Sequence, residues 1–374
     1  MKIMTKIKYY SLTRILQKNA TYNMIIGERS NGKTYAVLDY ALKEYCENGN
    51  QLAIIRRYEI DFVGKRGAQM FDAIVTNGLV EKYSKGRWET IVYRASRWWL
   101  GKYDENLDKM ILSETPFAFG FSLSSGEHDK STSYPRVKNI VFDEFLTRDM
   151  YLPDEFVLFM NVLSTIIRQR DGVKIFMLGN TVNKYSPYFK EMGLTNVEKM
   201  QQGSIDVYRY GDSELTVAVE YCEPSKKGKK SDVYFAFNNP KLQMITGGAW
   251  EISIYPHLPI KYQGADIKFK YFIIFNDNIL QCEIIKVKDE KKRNCYFTYI
   301  HRKTTPLLDK KKDIIFSTEY SPSPNWFRRL GRPRNDVERT LYQFFVREKV
   351  FYQDNEIGEI VRNYLNWCVS DKIV

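Results

Sequence analysis

The chain has 374 residues and a formal net charge of +12. Hydrophobic residues make up 44% of the chain and aromatic residues 15%. This composition excludes a disordered protein, and the length favours two domains over a single core. The charge indicates a polyanionic partner such as a nucleic acid, with solubility alone as the simpler alternative. The basic excess lies mainly in residues 223–374, which carry 27 Lys and Arg against 18 Asp and Glu.

Cysteine and histidine usage is sparse. The five cysteines form no CxxC pair, and there are only three histidines. This distribution disfavours a zinc site or a disulfide framework and fits a reducing compartment. The first ten residues contain no apolar stretch of signal-peptide length, and no run in the sequence is long enough to span a membrane. We therefore expect a cytoplasmic protein with no membrane partner.

Short apolar runs alternate with helical patterns in the first half, which predicts an α/β domain with a mostly parallel sheet flanked by helices. Strands are predicted at 23–26, 51–57, 89–95, 117–123, 139–142 and 174–178, with a β-hairpin over 205–221. Helices are predicted over 34–47 and 154–168. In the first helix the positions expected to face inward are Ala36, Leu38, Tyr40, Ala41 and Tyr45.

The composition changes at residues 223–232, a lysine-rich segment that predicts a basic linker. It separates an ATPase domain over 1–222 from a smaller α+β domain over 233–374. In the second domain, strands that form a meander are predicted at 270–275, 279–287 and 295–301. Two helical patterns, near 336–351 and 355–368, close the chain.

Residues 27–34 match the phosphate-binding pattern GxxxxGK[ST] at every fixed position, between a predicted strand and a predicted helix. Gly27 and Gly32 let the backbone wrap closely around phosphate oxygens, and the helix N-terminus attracts anions. Lys33 is expected to reach the β- and γ-phosphates of ATP, and Thr34 to bind Mg²⁺. An ordinary glycine turn is the alternative, against which the complete pattern argues. The predicted nucleotide-binding residues of this loop are Gly27, Arg29, Ser30, Asn31, Gly32, Lys33 and Thr34.

A second strand is expected to supply the carboxylates of the site. The apolar residues 140–142 are followed by Asp143 and Glu144, at the strand end where parallel sheets place ligands. Asp143 is the predicted metal ligand and Glu144 the predicted general base, while a solvated strand end is the alternative. Asn180 ends another strand and is a candidate for sensing the γ-phosphate or holding the attacking water, or else a simple turn residue.

Several cations are candidates for contacting phosphate. Arg56 and Arg57 end the second strand, and either one is equally suited to pair with a surface acid. Ring ATPases often complete their site with an arginine from the next subunit, and Arg168 or Arg170 has the expected position, although cations are also favoured at helix C-termini. Lys130, on a polar loop, is a second candidate for the trans residue.

These segments, taken together, resemble the terminase-like DNA encapsidation ATPases of small short-tailed phages. The resemblance covers roughly residues 20–190 and depends on the order and spacing of several motifs. These motifs are residues 26–34, 55–58, 130–135, 140–145, 167–170 and 178–181. Arg29 inside the phosphate loop is also similar to terminases.

The resemblance implies an ATPase of the ASCE class, pentameric on the portal vertex of an empty capsid, that uses ATP and Mg²⁺ to move double-stranded DNA in the host cytoplasm. It implies that Arg168 is the trans finger. It also implies a C-terminal domain similar to an RNase H-type nuclease that has lost its acids, and a packaging RNA as a further partner. A helicase-like or AAA-type remodelling ATPase and a non-hydrolysing nucleic-acid-binding protein are the competing functions.

A working nuclease needs several carboxylates that converge on two metals. The acids near the C-terminal strands are Asp266, Asp277, Glu283 and Asp289. Asp277 and Asp289 fall in predicted turns and Glu283 stands isolated, so nuclease activity is not expected. Candidate polyanion contacts in this half are Lys226, Lys227, Lys229, Lys230, Lys291, Lys292, Arg293, Arg328, Arg329, Arg332 and Arg334, with Trp326 and Phe327 beside the last cluster.

Overall fold

The computed structural model divides the chain into two compact units, Met1–Glu251 and Ile252–Val374, called unit 1 and unit 2 below. Among the described residues, no helix combines the length and apolarity needed to cross a bilayer. Most of the predicted linker, residues 223–232, and Lys130 lie outside the described residues, so the linker and the predicted domain boundaries remain predictions. The described residues are 9–125, 132–223, 250, 253–258, 260–288, 291–304, 308–309, 311–330, 333 and 335–370.

Unit 1 is built on a ten-stranded sheet with the order β3-β4-β6-β2-β7-β8-β1-β10-β9, and β5 pairs with β4. The six central strands, from β6 to β10 in that order, run parallel, whereas β9 and β4 pair antiparallel with their neighbours. The strands are β1 (Tyr22–Gly27), β2 (Gln51–Arg56), β3 (Thr90–Arg94), β4 (Arg97–Asp104), β5 (Lys109–Leu112), β6 (Ala118–Ser122), β7 (Val137–Asp143), β8 (Lys174–Asn180), β9 (Ile205–Arg209) and β10 (Thr216–Tyr221).

Helices cover both faces of this sheet, which is why its central strands are continuously apolar. Alternate residues of β1 enter opposite cores, with Met24 and Ile26 in one and Ile25 in the other. The helices are α1 (Thr13–Leu16), α2 (Lys33–Asn48), α3 (Lys65–Ala68), α4 (Asp72–Thr76), α5 (Leu79–Ser84), α6 (Glu155–Ile167) and α7 (Pro187–Glu191). The predicted parallel sheet and the hairpin formed by β9 and β10 are confirmed.

The inward face of α2 was predicted only in part. Leu38 and Ala41 are buried as expected, but the other buried apolar residues are Val37 and Leu42. Spacings of three and four residues place these four positions on one helical face, and the predicted Ala36, Tyr40 and Tyr45 lie at its margin, where they are only partly buried. Gly49 caps the helix with a φ of 72°, so the predicted stop is confirmed.

Unit 2 contains a six-stranded sheet with the order β15-β14-β11-β12-β13-β16. The predicted meander of β11, β12 and β13 is confirmed, β14 runs parallel to β11, and β16 runs parallel to β13. The elements are β11 (Ile267–Phe275), β12 (Asn278–Lys288), β13 (Asn294–Arg302), β14 (Ile314–Ser317), β15 (Trp326–Phe327), β16 (Val350–Tyr352), α8 (Asp336–Val346) and α9 (Asn355–Ser370).

The two closing helices differ in how well their bounds were predicted. The buried residues Ile357, Ile360, Val361 and Tyr364 give α9 its apolar face. The pattern over 336–351 was wrong at its end, because Glu348 adopts a φ of 55° and the chain then enters β16. A left-handed residue ends a helix, since an L side chain there does not propagate right-handed turns.

Candidate nucleotide site

The phosphate loop connects β1 to α2, and two of its glycines are required by geometry. Gly32 adopts a φ of 92° at the N-cap of α2, a conformation that L residues rarely adopt. A Cβ at Gly27 would come within 2.8 Å of the Cβ of Cys222 on the chain that follows β10. Ser30 is also left-handed, with a φ of 58°, so the loop is sharply folded at the start of α2. This is the arrangement that the motif predicted.

Lys33 is buried, and its ammonium lies inside the loop. Its Nζ donates to the carbonyl of Glu28 at 2.7 Å, to the carbonyl of Gly27 at 3.4 Å and to Oδ1 of Asn180 at 3.3 Å. Burial lowers the pKa of the Lys33 ammonium below its usual value. Asn180 reaches this position because β1 and β8 are parallel neighbours, with Gly27 paired to Asn180. Asn31 fixes the loop by accepting the backbone N–H of Lys33 through Oδ1 at 3.2 Å.

Thr34 and Asp143 meet across the site. The Thr34 hydroxyl donates to the carboxylate of Asp143, with oxygen–oxygen distances of 3.2 and 3.3 Å. Asp143 is the last residue of β7, and burial raises the pKa of its carboxyl against the opposing effect of Arg56. A hydroxyl and a carboxylate are hard oxygen donors of the kind that bind Mg²⁺. The donor set therefore fits the metal that the sequence predicted.

Arg56 binds both predicted acids. Its Nη2 lies 2.9 Å from Oδ2 of Asp143, and its Nη1 lies 2.9 Å from Oε2 of Glu144. The Glu144 side chain is 64% exposed, so this second ion pair is screened by water. The Glu144 backbone is left-handed, with a φ of 61°, and turns the chain at the end of β7. Sequence reasoning left open whether Arg56 or Arg57 faces the site. Both line the same cavity, and Arg56 is the one that pairs with the two predicted acids.

Arg57 has a different environment, which the sequence did not reveal. It pairs with Glu155, a buried acid 98 positions along the chain, and not with a surface acid. Its guanidinium also donates to the carbonyls of Glu144 and Phe145. No local pattern could have indicated a pairing of this sequence separation.

A cavity of about 700 Å³ brings the predicted residues together. Its lining includes Arg29, Ser30, Asn31, Gly32, Lys33, Thr34, Arg56, Arg57, Asp143, Glu144 and Asn180. The wall also contains Tyr35, Thr147 and Arg148, which the sequence analysis did not select. The only sequence signal for Arg148 was its place four residues after Glu144. The cavity has the size expected of a small-molecule site.

The two arginines at the end of α6 are held differently. Arg170 is fixed by four hydrogen bonds of 2.8–2.9 Å to the carbonyls of Ile166, Ile167, Pro135 and Val137. Arg168 is exposed on the left-handed turn after the helix and donates to the carbonyl of Thr132 at 2.9 Å. Neither arginine lines the cavity of its own subunit.

The acids of unit 2 do not resemble those of unit 1. Glu283, predicted to be isolated, is buried and accepts hydrogen bonds from Tyr262 and Gln281, each at 2.6 Å. His301 lies 3.7 Å and Lys270 3.9 Å from its Oε1, and none of these four partners is a carboxylate of the kind a nuclease site needs. Lys270 and His301 lie on the two strands next to β12, a proximity that a linear pattern does not show. Among the described residues, no three His, Cys, Asp or Glu side chains form a group that could hold a metal.

The basic clusters of unit 2 are also distinct from one another. Lys291, Lys292 and Arg293 are exposed on the turn between β12 and β13. In the other cluster, Arg328 stacks on Tyr320 with its Cζ 3.7 Å from the ring centroid. Arg329 is 7% exposed, so its selection as a surface contact was wrong. The linker lysines, Arg332 and Arg334 lie outside the described residues.

The sequence and the fold of this chain are similar to those of known phage proteins. The family described as podovirus DNA encapsidation protein (Gp16) matches residues 4–100 and 108–238. The DNA packaging proteins of Bacillus phages PZA and phi29 are each 28% identical to this chain over 277 residues, which are 73% of this chain and 74% of each relative. The solved Phi-28 gp11 DNA packaging motor aligns with a TM-score of 0.52 and 18% identity over 99% of this chain and 100% of that chain, a likeness of fold.

Proposed function

Because the chain belongs to the podovirus DNA encapsidation protein (Gp16) family and is a phage DNA packaging ATPase, we propose that it drives double-stranded DNA into an empty capsid by hydrolysing ATP in the unit 1 cavity. The observation that carries the proposal is the convergence of Lys33, Thr34 and Asp143 within the part of the chain that the family matches. Loop amides and lysine bind phosphates, and the strand-end acid faces them.

The positions of the side chains support a catalytic role for each of them. Thr34 and Asp143 would hold Mg²⁺, which neutralises charge on the transferred phosphoryl group when it is bound. Lys33 binds the β- and γ-phosphate oxygens, and Asn180, at 3.3 Å from its Nζ, orients the γ-phosphate or the attacking water. Glu144 accepts a proton from that water once its carboxylate has left the exposed ion pair with Arg56.

Arg168 is assigned as the arginine that completes the site of the next subunit. Arg170 already satisfies backbone carbonyls and acts as a structural brace, whereas Arg168 lies on the exposed turn after α6. A guanidinium stays charged and binds phosphate oxygens through parallel donors, which suits it to this task. The assignment requires a ring, which we propose to be a pentamer on the portal vertex in the host cytoplasm. Lys130 remains the second candidate for a trans residue.

Unit 2 is proposed to be a degenerate RNase H-type domain that docks the motor on the capsid vertex or on a packaging RNA. The support is its strand order, in which an antiparallel meander is extended at its first strand by the parallel β14 and β15. The Glu283 carboxylate already accepts a hydrogen bond from Tyr262 and lies near His301, which supports the proposal that this domain has no nuclease activity.

The decisive experiment is packaging of long duplex DNA into purified empty capsids, combined with a malachite-green assay of phosphate release with and without duplex DNA. A motor hydrolyses ATP and protects the duplex from DNase. Hydrolysis without protection would favour a helicase-like or AAA-type remodeller, and absence of hydrolysis would favour a nucleic-acid-binding protein with a degenerate loop.

A further inference from the structure

The two consecutive arginines at the end of β2 hold Glu144 by different parts. Arg56 binds its carboxylate through an ion pair that is exposed on the glutamate side. Arg57 binds its backbone, with Nη1 at 3.2 Å from the Glu144 carbonyl and Nη2 at 2.9 Å from the next carbonyl, that of Phe145. The peptide plane after the catalytic candidate is therefore fixed by a group that never touches its side chain.

The Arg57 guanidinium is itself fixed from the other side. Its Nε and Nη2 donate to the two oxygens of Glu155 at 2.8 and 2.9 Å. The Glu155 side chain is fully buried and also accepts the Tyr188 hydroxyl at 2.8 Å and the backbone N–H of Leu152 at 2.7 Å. Tyr151 covers the guanidinium, with Cζ 5.3 Å from the ring centroid. These contacts leave the arginine one orientation.

Stability alone does not account for this network. A buried ion pair can often be replaced by apolar residues without loss, because desolvation offsets much of its attraction. Here the network holds the backbone at Glu144, which is in a left-handed conformation with a φ of 61°. The orientation of this backbone determines where the Glu144 carboxylate points. A non-glycine residue in this region requires external restraint, and such restraints concentrate at functional sites.

We propose that Arg57, oriented by Glu155 and Tyr188, is a positioning residue that fixes the backbone of Glu144 and thereby aims its carboxylate at the attacking water. The inference depends on the proposed role of Glu144 as the base. Arg56 can release the Glu144 side chain during turnover, whereas Arg57 holds the Glu144 backbone in place while that side chain changes its conformation.

The test uses Arg57→Lys in the full-length chain. Lysine keeps the charge but has no planar fork, so it cannot bind a carboxylate through two donors and reach both carbonyls. We expect kcat for ATP hydrolysis to fall about 10- to 100-fold, as for other groups that orient a reacting residue, with KM changed less than about two-fold. Tyr188→Phe, which removes one hydrogen bond and no charge, should lower kcat about three-fold at unchanged KM.

Tyr45→Phe is the control, because it also removes a single hydroxyl. The Tyr45 hydroxyl is partly buried and donates to the carbonyl of Thr115, away from the nucleotide cavity. It should leave kcat unchanged. If Arg57→Lys does not fold, as judged by thermal unfolding, Tyr188→Phe decides the question. A raised KM at constant kcat, or a Tyr188→Phe enzyme indistinguishable from the Tyr45→Phe control, overturns the proposal.

A double variant separates this inference from the proposed function. If Arg57 acts through Glu144, adding Arg57→Lys to Glu144→Gln should cause no further loss of residual hydrolysis, measured with radiolabelled ATP. Losses that multiply would mean that Arg57 acts elsewhere. Wild-type turnover in Glu144→Gln alone would instead refute the base assignment, whatever Arg57 does.

Discussion

Two buried carboxylates that accept hydrogen bonds or ion pairs, Asp143 in unit 1 and Glu283 in unit 2, have different surroundings. Asp143 opens onto a cavity, and burial raises the pKa of its carboxyl. Burial also acts to raise the pKa of Glu283, but the nearby His301 and the hydrogen bonds from Tyr262 and Gln281 outweigh it and bring the pKa down to about 2. Asp143 can therefore bind a cation that enters the cavity, whereas the hydrogen-bonding capacity of Glu283 is already used by its neighbours.

The difference shows how to separate a working acid from a structural one in the same chain. A carboxylate that already accepts hydrogen bonds from its own unit, as Glu283 does, gains nothing from a ligand, and it contributes to stability. A carboxylate that shares its site with a hydroxyl, an arginine and open volume has partners that ligand binding can rearrange. The arginines divide in the same way, since Arg170 is anchored to carbonyls while Arg168 lies on an exposed turn.

The strongest test of this division is at the subunit interface. Arg168→Ala should leave ATP binding nearly intact and lower DNA-stimulated hydrolysis about 10³-fold, because a trans arginine acts only on the transition state. Arg170→Ala should lower the melting temperature instead. A large catalytic loss in Arg170→Ala with Arg168→Ala silent would reverse the assignment.

Mixing experiments extend this prediction. Arg168→Ala and Glu144→Gln place their defects on opposite sides of an interface, so mixed rings should contain some sites with both groups intact. Hydrolysis should therefore recover partly in mixtures of two inactive proteins. No recovery at any ratio would count against a trans role for Arg168.

Glu144→Gln tests the nucleotide cavity of unit 1 directly. Glutamine keeps the size of the side chain but cannot accept a proton, so Mg·ATP binding should persist while turnover falls about 10²- to 10⁴-fold. Lys33→Ala, by contrast, should weaken nucleotide binding itself. Equilibrium binding of a fluorescent ATP analogue and phosphate release distinguish these outcomes, and wild-type turnover in Glu144→Gln would disprove the base assignment.

Glu283→Gln tests the buried carboxylate of unit 2. This substitution should change the stability of the protein and leave ATP hydrolysis unchanged. Because the folded pKa, about 2, lies below the ordinary value of 4.5, the carboxylate stabilises the fold above pH 4.5, and this contribution is lost as the pH falls towards 2. The contribution at pH 7 is on the order of 3 kcal/mol. In Glu283→Gln the thermal unfolding temperature of unit 2 should be lower at pH 7. It should also depend less on pH below 4.5, with ATP hydrolysis unchanged. An altered kcat for ATP hydrolysis would show that Glu283 is not a purely structural acid.

Sequence reasoning located the central strands and the phosphate loop because both depend on local patterns: continuous apolar runs, and glycines at fixed spacing. It placed Asp143 and Asn180 at strand ends, which a parallel sheet brings to one edge, and Lys33 in the loop that follows β1 at that edge. It missed β4, β5 and the short strands of unit 2, which have no clear boundaries in the sequence. The pairing of Arg57 with Glu155 was also beyond it, since only folding brings such distant positions together.

The smallest expected effect concerns the exposed cations of unit 2, in contrast to the enclosed cations of the nucleotide cavity. Lys291, Lys292 and Arg293 lie on an exposed turn, where each can release about one counterion when it neutralises a phosphate. Changing all three to alanine in the full-length protein should reduce the slope of log affinity against log salt for a stem-loop RNA by about 2–3, with ATP hydrolysis unchanged. The matched control removes three exposed cations from unit 1, Lys85, Lys102 and Lys109, and should leave the slope unchanged. Equal slopes in all three proteins would show that this turn is only a solvated loop, and the docking surface would have to be sought elsewhere in unit 2.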